Sequence, residues 1–519
     1  MLALMMGSVC QAEDITIRYN GAMAKVTQQK KDSVNVTVDG AKVNIVSLYQ
    51  GHKLTLRLTG KSDDGQLVLK TAGKAKVTLD GLTLTSQEGA PLDLKNKKKV
   101  EIVAAKGTEN TLTITACNDT ANHKAATIWA KDKLLLSGNG TLNIVATGDG
   151  CRGIKTKKDI TIEDLTLNVT TSGNNLGEKP FGFGDGGFPG GGMPDFGGGG
   201  FPDFGGGMPD FGGGGFPGGG FPGGGFPPFG NDSIRRGGFP GGGMPDFGGG
   251  GFPGGGFPGF GGMHPEENDS TDEGGFGGFG GGFGGKHKYV ASTKGIASKG
   301  KITINSGNVT VRTSTPGAEG IEGKGGVVFN GGNIDVMTPD DAINANATIE
   351  FNGAHVIARS STNDAVDSNP KGGFFMPFGG NNNQDTDPAI IIRGGTVYAW
   401  SQVGSPEEGL DCDFAPLVIE GGTIFSVGGG MDEMPSVPSN EDAKQPTALL
   451  LGLNIVKNEP VYIYDGNGKL IDTVTIPFSL RRSASLVGSP AFKVGNTYTV
   501  KTKGYEKTFT LNEPFTAVR

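Results

Sequence analysis

Short segments in which hydrophobic and polar residues alternate recur along the chain, most of them in pairs separated by a tight turn. Five segments align with one another: ITINSGNVTV (302–311), VVFNGGNIDV (327–336), IEFNGAHVIA (349–358), IIIRGGTVYA (390–399) and LVIEGGTIFS (417–426). Alternation on both sides of a small corner residue predicts two half-buried strands joined at that corner. The corner residues are Gly307, Gly332, Ala354, Gly395 and Gly422, and the interval of 41 after Ala354 indicates an inserted loop near 370–387.

A period of 20–30 residues built from short strands is typical of a solenoid. Fainter copies extend the repeat upstream: VTLDGLTLTS (77–86), LSGNGTLNIV (136–145) and ITIEDLTLNV (160–169). Leucine-rich repeats are excluded because no repeat carries their leucine spacing or a helix. A β-propeller is excluded because each of its blades needs about 40 residues, which is longer than this period. We therefore predict an all-β chain, a right-handed parallel β-helix in which like positions of successive turns stack about 4.8 Å apart.

Changes in composition divide the chain into five segments. Residues 181–285 repeat units such as FPGGG and MPDFGGG, and so much glycine and proline predicts a disordered insertion. Residues 1–12 look like a short signal peptide, which predicts a secreted protein at the cell surface or outside the cell. The predicted segments are the signal peptide (1–12), a first β-helix part (13–180), the insertion (181–285), a second β-helix part (286–440) and a small antiparallel β capping unit (441–519).

Charge and cysteine content exclude several classes of partner. The net charge of −7, with no basic stripe, argues against nucleic acid. No later stretch reaches the roughly 18 apolar residues of a membrane span. Cys117, Cys151 and Cys412 match no zinc-site spacing, and neither a nucleophile elbow nor an HExxH motif is present. Catalysis therefore has no sequence signature.

A second repeated motif places acidic residues around one apolar position. It reads AEGIEG (318–323), DDAINA (340–345), NDAVDS (363–368) and EEGLDC (407–412), with the core residues Ile321, Ile343, Val366 and Leu410. The residue two positions before each core residue is acidic: Glu319, Asp341, Asp364 and Glu408. The residue directly after each core residue is Glu322, Asn344, Asp367 and Asp411 in turn. The last repeat carries a further acid, Asp413.

Stacked carboxylates about 5 Å apart repel one another, and a hard cation relieves that repulsion. Calcium binds six to eight oxygen ligands, so these columns predict calcium between the turns. The alternative is an exposed acidic ladder neutralised by bases such as Lys324. Upstream, the first column carries Arg152 and Lys294, which makes calcium doubtful there and suggests pairing with neighbouring acids.

Few aromatic residues suited to stacking on a sugar ring lie outside the insertion. Trp400 and Tyr398 alternate on one strand face in TVYAWSQ. They fit either a platform that stacks on a sugar ring or a buried aromatic ladder. Both interpretations stay open at the level of sequence.

The order of several motifs resembles a known family. KGTENTL (106–112), ATIWAKDKLLLSGNGTLNI (126–144), GDGCRGIKTKKDITIED (148–164) and the GGNID/GGTVY turns are similar to bacterial carbohydrate-binding β-helix proteins with a pectate-lyase-like fold. The resemblance covers roughly residues 30–430, apart from the insertion. It implies a secreted, non-catalytic protein that binds plant-type polysaccharide, either cellulose or acidic pectic glycans, with calcium between the turns.

Two further hypotheses follow from the residues. A calcium-dependent polysaccharide lyase or hydrolase is the first, with Arg359 or Arg393 as a candidate base close to the acids in sequence. A structural surface adhesin is the second, in which calcium only stiffens the turns. Formation of an unsaturated product distinguishes a lyase from a binding protein, and a complete lack of glycan binding indicates the adhesin.

Overall fold

The protein is all-β in a computed structural model that describes residues 14–28, 33–48, 50, 53–118, 125–179, 288–369, 390–412, 415–430 and 435–518. The described residues all belong to one compact unit. The predicted signal peptide, the insertion 181–285 and most of the loop near 370–387 lie outside the described residues.

Eighteen strands precede or immediately follow the insertion: β1 (Ile15–Asn20), β2 (Met23–Gln28), β3 (Val34–Asp39), β4 (Lys42–Ser47), β5 (Leu54–Ser62), β6 (Gln66–Thr71), β7 (Ala75–Ser86), β8 (Leu92–Leu94), β9 (Val100–Ala104), β10 (Glu109–Ile114), β11 (Ala126–Ala130), β12 (Leu134–Ser137), β13 (Thr141–Ala146), β14 (Arg152–Thr156), β15 (Ile160–Glu163), β16 (Thr166–Thr171), β17 (Leu176–Lys179) and β18 (Lys288–Ala291).

Short strands of two to six residues continue the repeat: β19 (Lys294–Ser298), β20 (Ile302–Ile304), β21 (Asn308–Thr313), β22 (Glu319–Gly323), β23 (Val327–Phe329), β24 (Asn333–Thr338), β25 (Ile343–Ala345), β26 (Ile349–Phe351), β27 (His355–Ser360), β28 (Val366–Ser368), β29 (Ile390–Ile392), β30 (Thr396–Ser401), β31 (Leu410–Asp411), β32 (Leu417–Ile419) and β33 (Thr423–Gly428).

Longer strands end the chain: β34 (Thr447–Ile455), β35 (Pro460–Asp465), β36 (Leu470–Thr475), β37 (Leu480–Gly488), β38 (Thr497–Thr502), β39 (Tyr505–Thr510) and β40 (Phe515–Val518).

Three ladders of parallel strands organise the repeat, and each turn of the chain adds one strand to each ladder in the same order. The first ladder runs β9–β12–β15–β20–β23–β26–β29–β32. The second runs β10–β13–β16–β21–β24–β27–β30–β33. The third runs β4–β6–β8–β11–β14–β19–β22–β25–β28–β31. The short repeating strands thus form parallel sheets, as their period predicts.

Apolar side chains from all three ladders form one core. Ile304, Phe329, Phe351, Ile392 and Ile419 stack in register in the first ladder and are fully buried. The corner glycines keep the turns close together. Gly395 has a φ of +83°, and a Cβ there would lie 2.2 Å from the carbonyl oxygen of Ala354 in the preceding turn, so only glycine fits.

The repeat continues in register across the insertion. β17 and β18 pair antiparallel at the two ends of the excursion, with Leu176 opposite Ala291. On either side, β15 pairs directly with β20 and β16 with β21. The chain therefore leaves and rejoins the ladders at one place without displacing the stack.

Both ends of the repeat carry strands that are not part of the parallel ladders. At the start, β2 pairs antiparallel with β1, and β3 pairs antiparallel with β4, the first strand of the third ladder. At the end, β37 pairs antiparallel with β33 and β34, which covers the last strand of the second ladder. β35, β36, β38 and β39 form a separate antiparallel sheet. Such additions cover edges that would otherwise present unpaired backbone groups.

Candidate cation site

The acidic motifs stack on the third ladder in the register that their alignment predicts. Ile321 pairs with Ile343, Ile343 with Val366, and Val366 with Leu410. The same pairing aligns the positions that follow: Glu322, Asn344, Asp367 and Asp411. The four core residues are buried. Side chains alternate along a strand, so the residue directly after each core residue points away from the core. The acid two positions before each core residue lies at or before the start of its strand, where alternation does not set the direction of the side chain.

The small residue before each core position is required by packing. A Cβ at Gly320 would lie 2.4 Å from Cγ1 of Val336, on the second ladder. A Cβ at Gly409 would lie 2.4 Å from the carbonyl oxygen of Ala399, also on the second ladder. The close approach of the two ladders leaves no room for a side chain at these two positions, and in the other two repeats the equivalent residues are the buried Ala342 and Ala365.

Three aspartates from two successive turns converge on one point. Asp341, Asp364 and Asp367 each place a carboxylate oxygen within 4.8 Å of the others. Their exposed fractions are only 3%, 6% and 3%. The stacked acidic residues are thus buried here, whereas the alternative interpretation of the sequence was an acidic ladder exposed to solvent. Three anionic groups so close together in a poorly hydrated place provide oxygen donors of the kind that a hard divalent cation binds.

Asparagine side chains connect these aspartates. Nδ2 of Asn344 donates to Oδ2 of Asp341 at 2.8 Å and to Oδ2 of Asp367 at 3.4 Å. Nδ2 of Asn363 donates to Oδ1 of Asp341 at 2.6 Å, and Nδ2 of Asn369 donates to Oδ1 of Asp367 at 2.7 Å. The amides orient the carboxylates, and they add no positive charge to offset the negative ones.

The electrostatic cost of this arrangement is concentrated on Asp364. Burial raises the pKa of its carboxyl well above the usual range, and the charges of Asp341 and Asp411 raise it further. A hydrogen bond of 2.5 Å from the backbone N–H of Glu408 to Oδ1 acts in the opposite direction without balancing them. Without a cation the cluster therefore favours a proton on Asp364.

Glu319 and Glu322, also predicted as calcium ligands, surround a lysine instead. The Nζ atom of Lys294 lies 2.7 Å from Oε1 of Glu322 and 3.2 Å from both carboxylate oxygens of Glu319. Lys294 pairs with Glu319 in the ladder register, so the lysine and the acid belong to successive turns. The suggested pairing of this base with the adjacent acids thus occurs, and it supplies the counter-charge for this turn.

The last acidic turn contacts a residue outside the repeat. Oε2 of Glu408 accepts a hydrogen bond of 2.7 Å from the backbone N–H of Ser436, and Oδ1 of Asp411 accepts one of 3.3 Å from its hydroxyl. Neither acid is part of the three-aspartate cluster, although the charge of Asp411 reaches Asp364. Asp413 lies outside the described residues.

Trp400 belongs to the core rather than to an open surface. It is 4% exposed, its Nε1 donates to the carbonyl oxygen of Phe425 at 3.1 Å, and it packs with side chains of the C-terminal strands. Tyr398 stacks on it with ring centroids 5.7 Å apart and is half-buried. Burial raises the pKa of Tyr398 to about 12. Of the two interpretations left open by the sequence, the structure adopts the buried aromatic ladder.

We expect Trp400→Phe to weaken folding without changing glycan binding. The substitution leaves the buried carbonyl of Phe425 without its donor, which costs roughly 1–3 kcal/mol of the free energy of unfolding. Urea denaturation measures that loss, and titration with polysaccharide measures affinity, expected within about twofold of wild type because the ring is covered. A large loss of affinity in a folded variant would instead support the sugar-stacking role.

The two arginines considered for a lyase base are engaged elsewhere. Arg359, on the second ladder, forms an ion pair with Asp335, which also binds Arg312 at 2.5 Å. Arg393, beside the first ladder, lies 2.6 Å from Glu350 and 3.4 Å from Glu420. The aspartate cluster is on the third ladder. The structure therefore gives neither arginine contact with the acids beside which a lyase would need its base.

Comparisons with known proteins find similarity to sequences described as carbohydrate-binding. A family model described as "Carbohydrate-binding domain-containing protein" matches residues 39–181 and 261–367. A protein of the same description from Acetivibrio thermocellus is 28% identical over 151 residues, which is 28% of this chain and 50% of the relative. The chain thus spans about half the length of that relative. The predicted resemblance to a carbohydrate-binding family is confirmed.

A solved structure also matches, at lower similarity. It is that of a polysaccharide lyase-like protein from C. thermocellum, in a gadolinium derivative, with 17% sequence identity and a TM-score of 0.37. The match covers 66% of this chain and 90% of the other. Separately, the described part of the chain contains no helix long and apolar enough to cross a membrane.

Sequence reasoning missed several residues that complete the site. Asn363, the first residue of the NDAVDS motif, holds Asp341, and Asn369, directly after the motif, holds Asp367. Ser436 holds Glu408 and Asp411. The two asparagines were detectable, because amides next to an acidic motif commonly orient its carboxylates. Ser436 carried no signal, since it reaches the site only when the chain folds back after β33.

Proposed function

We propose that this is a secreted, non-catalytic protein that binds acidic plant-type polysaccharide, with calcium held between turns of a right-handed parallel β-helix. The observation that carries the proposal is the buried cluster of Asp341, Asp364 and Asp367, with ligand oxygens within 4.8 Å of one another. The confirmed resemblance to a carbohydrate-binding family supports the ligand class. The right hand follows from the strong preference of parallel crossover connections.

Calcium suits this cluster for three reasons. Its donors are oxygens, its ligands at 2.3–2.6 Å fit carboxylates spaced as these are, and its flexible coordination tolerates an irregular donor set. The amide of Asn344 lies between Asp341 and Asp367 and would present its oxygen after a rotation about its last side-chain bond. The charge of the ion would remove the repulsion that raises the pKa of Asp364.

Binding of an acidic glycan follows from the same chemistry. A calcium ion that keeps open coordination positions can accept a uronate carboxylate, which supplies charge and oxygen together. This mode requires no aromatic platform, in keeping with the burial of Trp400. It favours acidic pectic chains over neutral cellulose at this site. A calcium-dependent lyase is the alternative, and the engagement of Arg359 and Arg393 at other carboxylates argues against it.

Titration of chelator-treated protein with polygalacturonate, with and without about 1 mM calcium, tests the proposal. We expect binding only with calcium, no binding of the fully methyl-esterified polymer, and an intact polymer at the end. Ultraviolet absorbance from an unsaturated product would establish a lyase and overturn the non-catalytic function. Absence of binding in both conditions would reduce calcium to a structural role, as in the adhesin hypothesis.

A further inference from the structure

The turn next to the aspartate cluster already contains a cation that belongs to the chain. Lys294 is 6% exposed, and its ammonium lies against the carboxylates of Glu319 and Glu322 at 2.7–3.2 Å. Burial lowers the pKa of Lys294, but the charges of the two glutamates outweigh burial and raise it. The ammonium is therefore a permanent positive charge at neutral pH.

The two glutamates are equivalent in the ladder to the predicted metal ligands. Glu319 precedes Ile321 by two positions, as Asp341 precedes Ile343 and Asp364 precedes Val366. Glu322 pairs in register with Asn344, and Asn344 with Asp367. The third ladder therefore presents the same donor positions in both places. The difference is that one residue of the preceding turn, Lys294, directs its side chain into the acids of this turn.

A single ammonium does not satisfy both carboxylates equally. Although burial opposes it, the charges of Lys294 and Lys324 hold the pKa of Glu322 below its usual value. Burial raises the pKa of Glu319 to about 7 despite the nearby lysine, and the charges of Glu322 and Asp340 act in the same direction. One ammonium thus lies against two carboxylates, 2.7 Å from Glu322 and 3.2 Å from Glu319, where a divalent ion would carry twice its charge.

We infer that Glu319 and Glu322 form a latent divalent-cation site, and that Lys294 occupies the position of its ion and ends the calcium column at this turn. The inference rests on the proposed calcium site of the next turn. Removing the lysine side chain should open the position, because the two buried carboxylates then lose the ammonium between them and favour binding of either a proton or a metal ion.

The position of the lysine in the chain suggests why it replaces an ion. Lys294 begins β19, the first ladder strand after the chain returns from its excursion through β18. Its ion pairs with Glu319 and Glu322 connect β19 to β22 of the next turn whether or not calcium is present. Joining the ladders again after so long an excursion carries a loop-closure cost, and a built-in cation offsets it at every calcium concentration.

The test counts calcium ions bound per chain in full-length wild type and Lys294→Met, using calorimetric titration of chelator-treated protein with calcium alone. We expect Lys294→Met to bind one more ion than wild type. Lys324→Met is the matched control: it removes a positive charge that also lowers the pKa of Glu322 but leaves Lys294 in place, and it should bind the wild-type number.

Each outcome separates this inference from the proposed function. If wild type binds calcium and Lys294→Met binds the same number, the latent site is wrong and the aspartate site stands. If wild type binds none but the variant binds one, the inference holds and the proposed function fails. If the variant does not fold without metal, it is refolded with calcium and desalted, and its calcium is counted by atomic emission. Lys294→Gln then provides a second variant, with the same gain expected.

Discussion

Replacing Asp364 and Asp367 together by asparagine is expected to lower calcium affinity about 100-fold or more, because two of the three charges in the cluster are removed while the shape of the side chains is kept. Calorimetric titration of the chelator-treated protein measures the affinity. Calcium-dependent binding of polygalacturonate should be lost in parallel. The effect is large because these carboxylates are buried, so water does not replace the lost charge.

Without calcium, the same double variant is expected to be more stable than wild type. Metal-free wild type holds several carboxylates in one buried place, and the pKa of Asp364 is raised first by burial and then by the charges of Asp341 and Asp411. Asparagine removes that repulsion, so the metal-free variant should melt at a higher temperature than metal-free wild type at pH 7. A structural role of the aspartates alone predicts a lower melting temperature in both conditions.

A matched control removes the same number of charges elsewhere. Asp63 and Asp64 lie in one turn, with side-chain exposures of 81% and 41%. Asp63→Asn with Asp64→Asn should leave calcium affinity within about twofold of wild type, since exposed charges are screened by salt. If both double variants lose affinity equally, the effect comes from net charge, and the aspartate cluster is not the site.

Calcium is expected to raise the melting temperature much more at pH 7.5 than at pH 5. In the metal-free protein, Asp364 keeps its proton in the folded state at pH values where the unfolded chain has released it. The folded state then binds more protons, so the free energy of unfolding falls as pH rises from about 4 through the raised pKa. Calcium replaces that proton with a stronger positive charge and restores the stability lost at neutral pH.

Glu319 contributes a second change of the same sign. Its pKa rises from 4.5 to about 7, mainly through burial, so stability decreases between those two values as pH rises. Lys294 supplies the positive charge there, and this contribution should therefore appear with and without calcium. The part of the pH dependence that calcium abolishes is the part that belongs to the aspartate cluster.

Thermal melts at several pH values, in chelator and at one fixed calcium concentration of about 100 times the dissociation constant at pH 7.5, measure these effects. At pH 7.5 that ratio stabilises the folded state by about 2.7 kcal/mol, which corresponds to roughly 3–5 °C for a chain of this size, and the weaker binding at pH 5 gives a smaller shift at the same concentration. The double asparagine variant should show almost no calcium shift at either pH. An equal shift at pH 5 and pH 7.5 in wild type would contradict protonation of the cluster.

Most of the repeat was predictable because its information is local. Alternation over three to six residues determines which side chains face inward, and glycine marks each corner. Once Ile321, Ile343, Val366 and Leu410 are recognised as one inward column, the residues directly after them must stack on the opposite face. A one-residue slip would expose the core, so the register follows from the hydrophobic pattern.

The different environments of the acidic residues were harder to predict from the sequence. Alignment treats Glu319 and Asp341 as equivalent, yet one contacts Lys294 and the other joins the aspartate cluster. The sequence indicated pairing of Lys294 with neighbouring acids, since Lys294 occupies the column of Glu319 one turn earlier. It did not indicate which acids the ammonium would reach, because a lysine side chain has several rotatable bonds and can approach either neighbouring turn.

The sequence by itself determined the all-β repeat, the inward columns and the stacking of the acidic motifs, because each depends on short-range alternation. Only the tertiary structure decided that Asp341, Asp364 and Asp367 are buried together, that Glu319 and Glu322 hold Lys294, and that Trp400 is covered by the C-terminal strands. The physical reason is that burial and charge pairing depend on which segments fold against a face of the ladder. Such contacts join residues far apart in the chain, where local alternation carries no information.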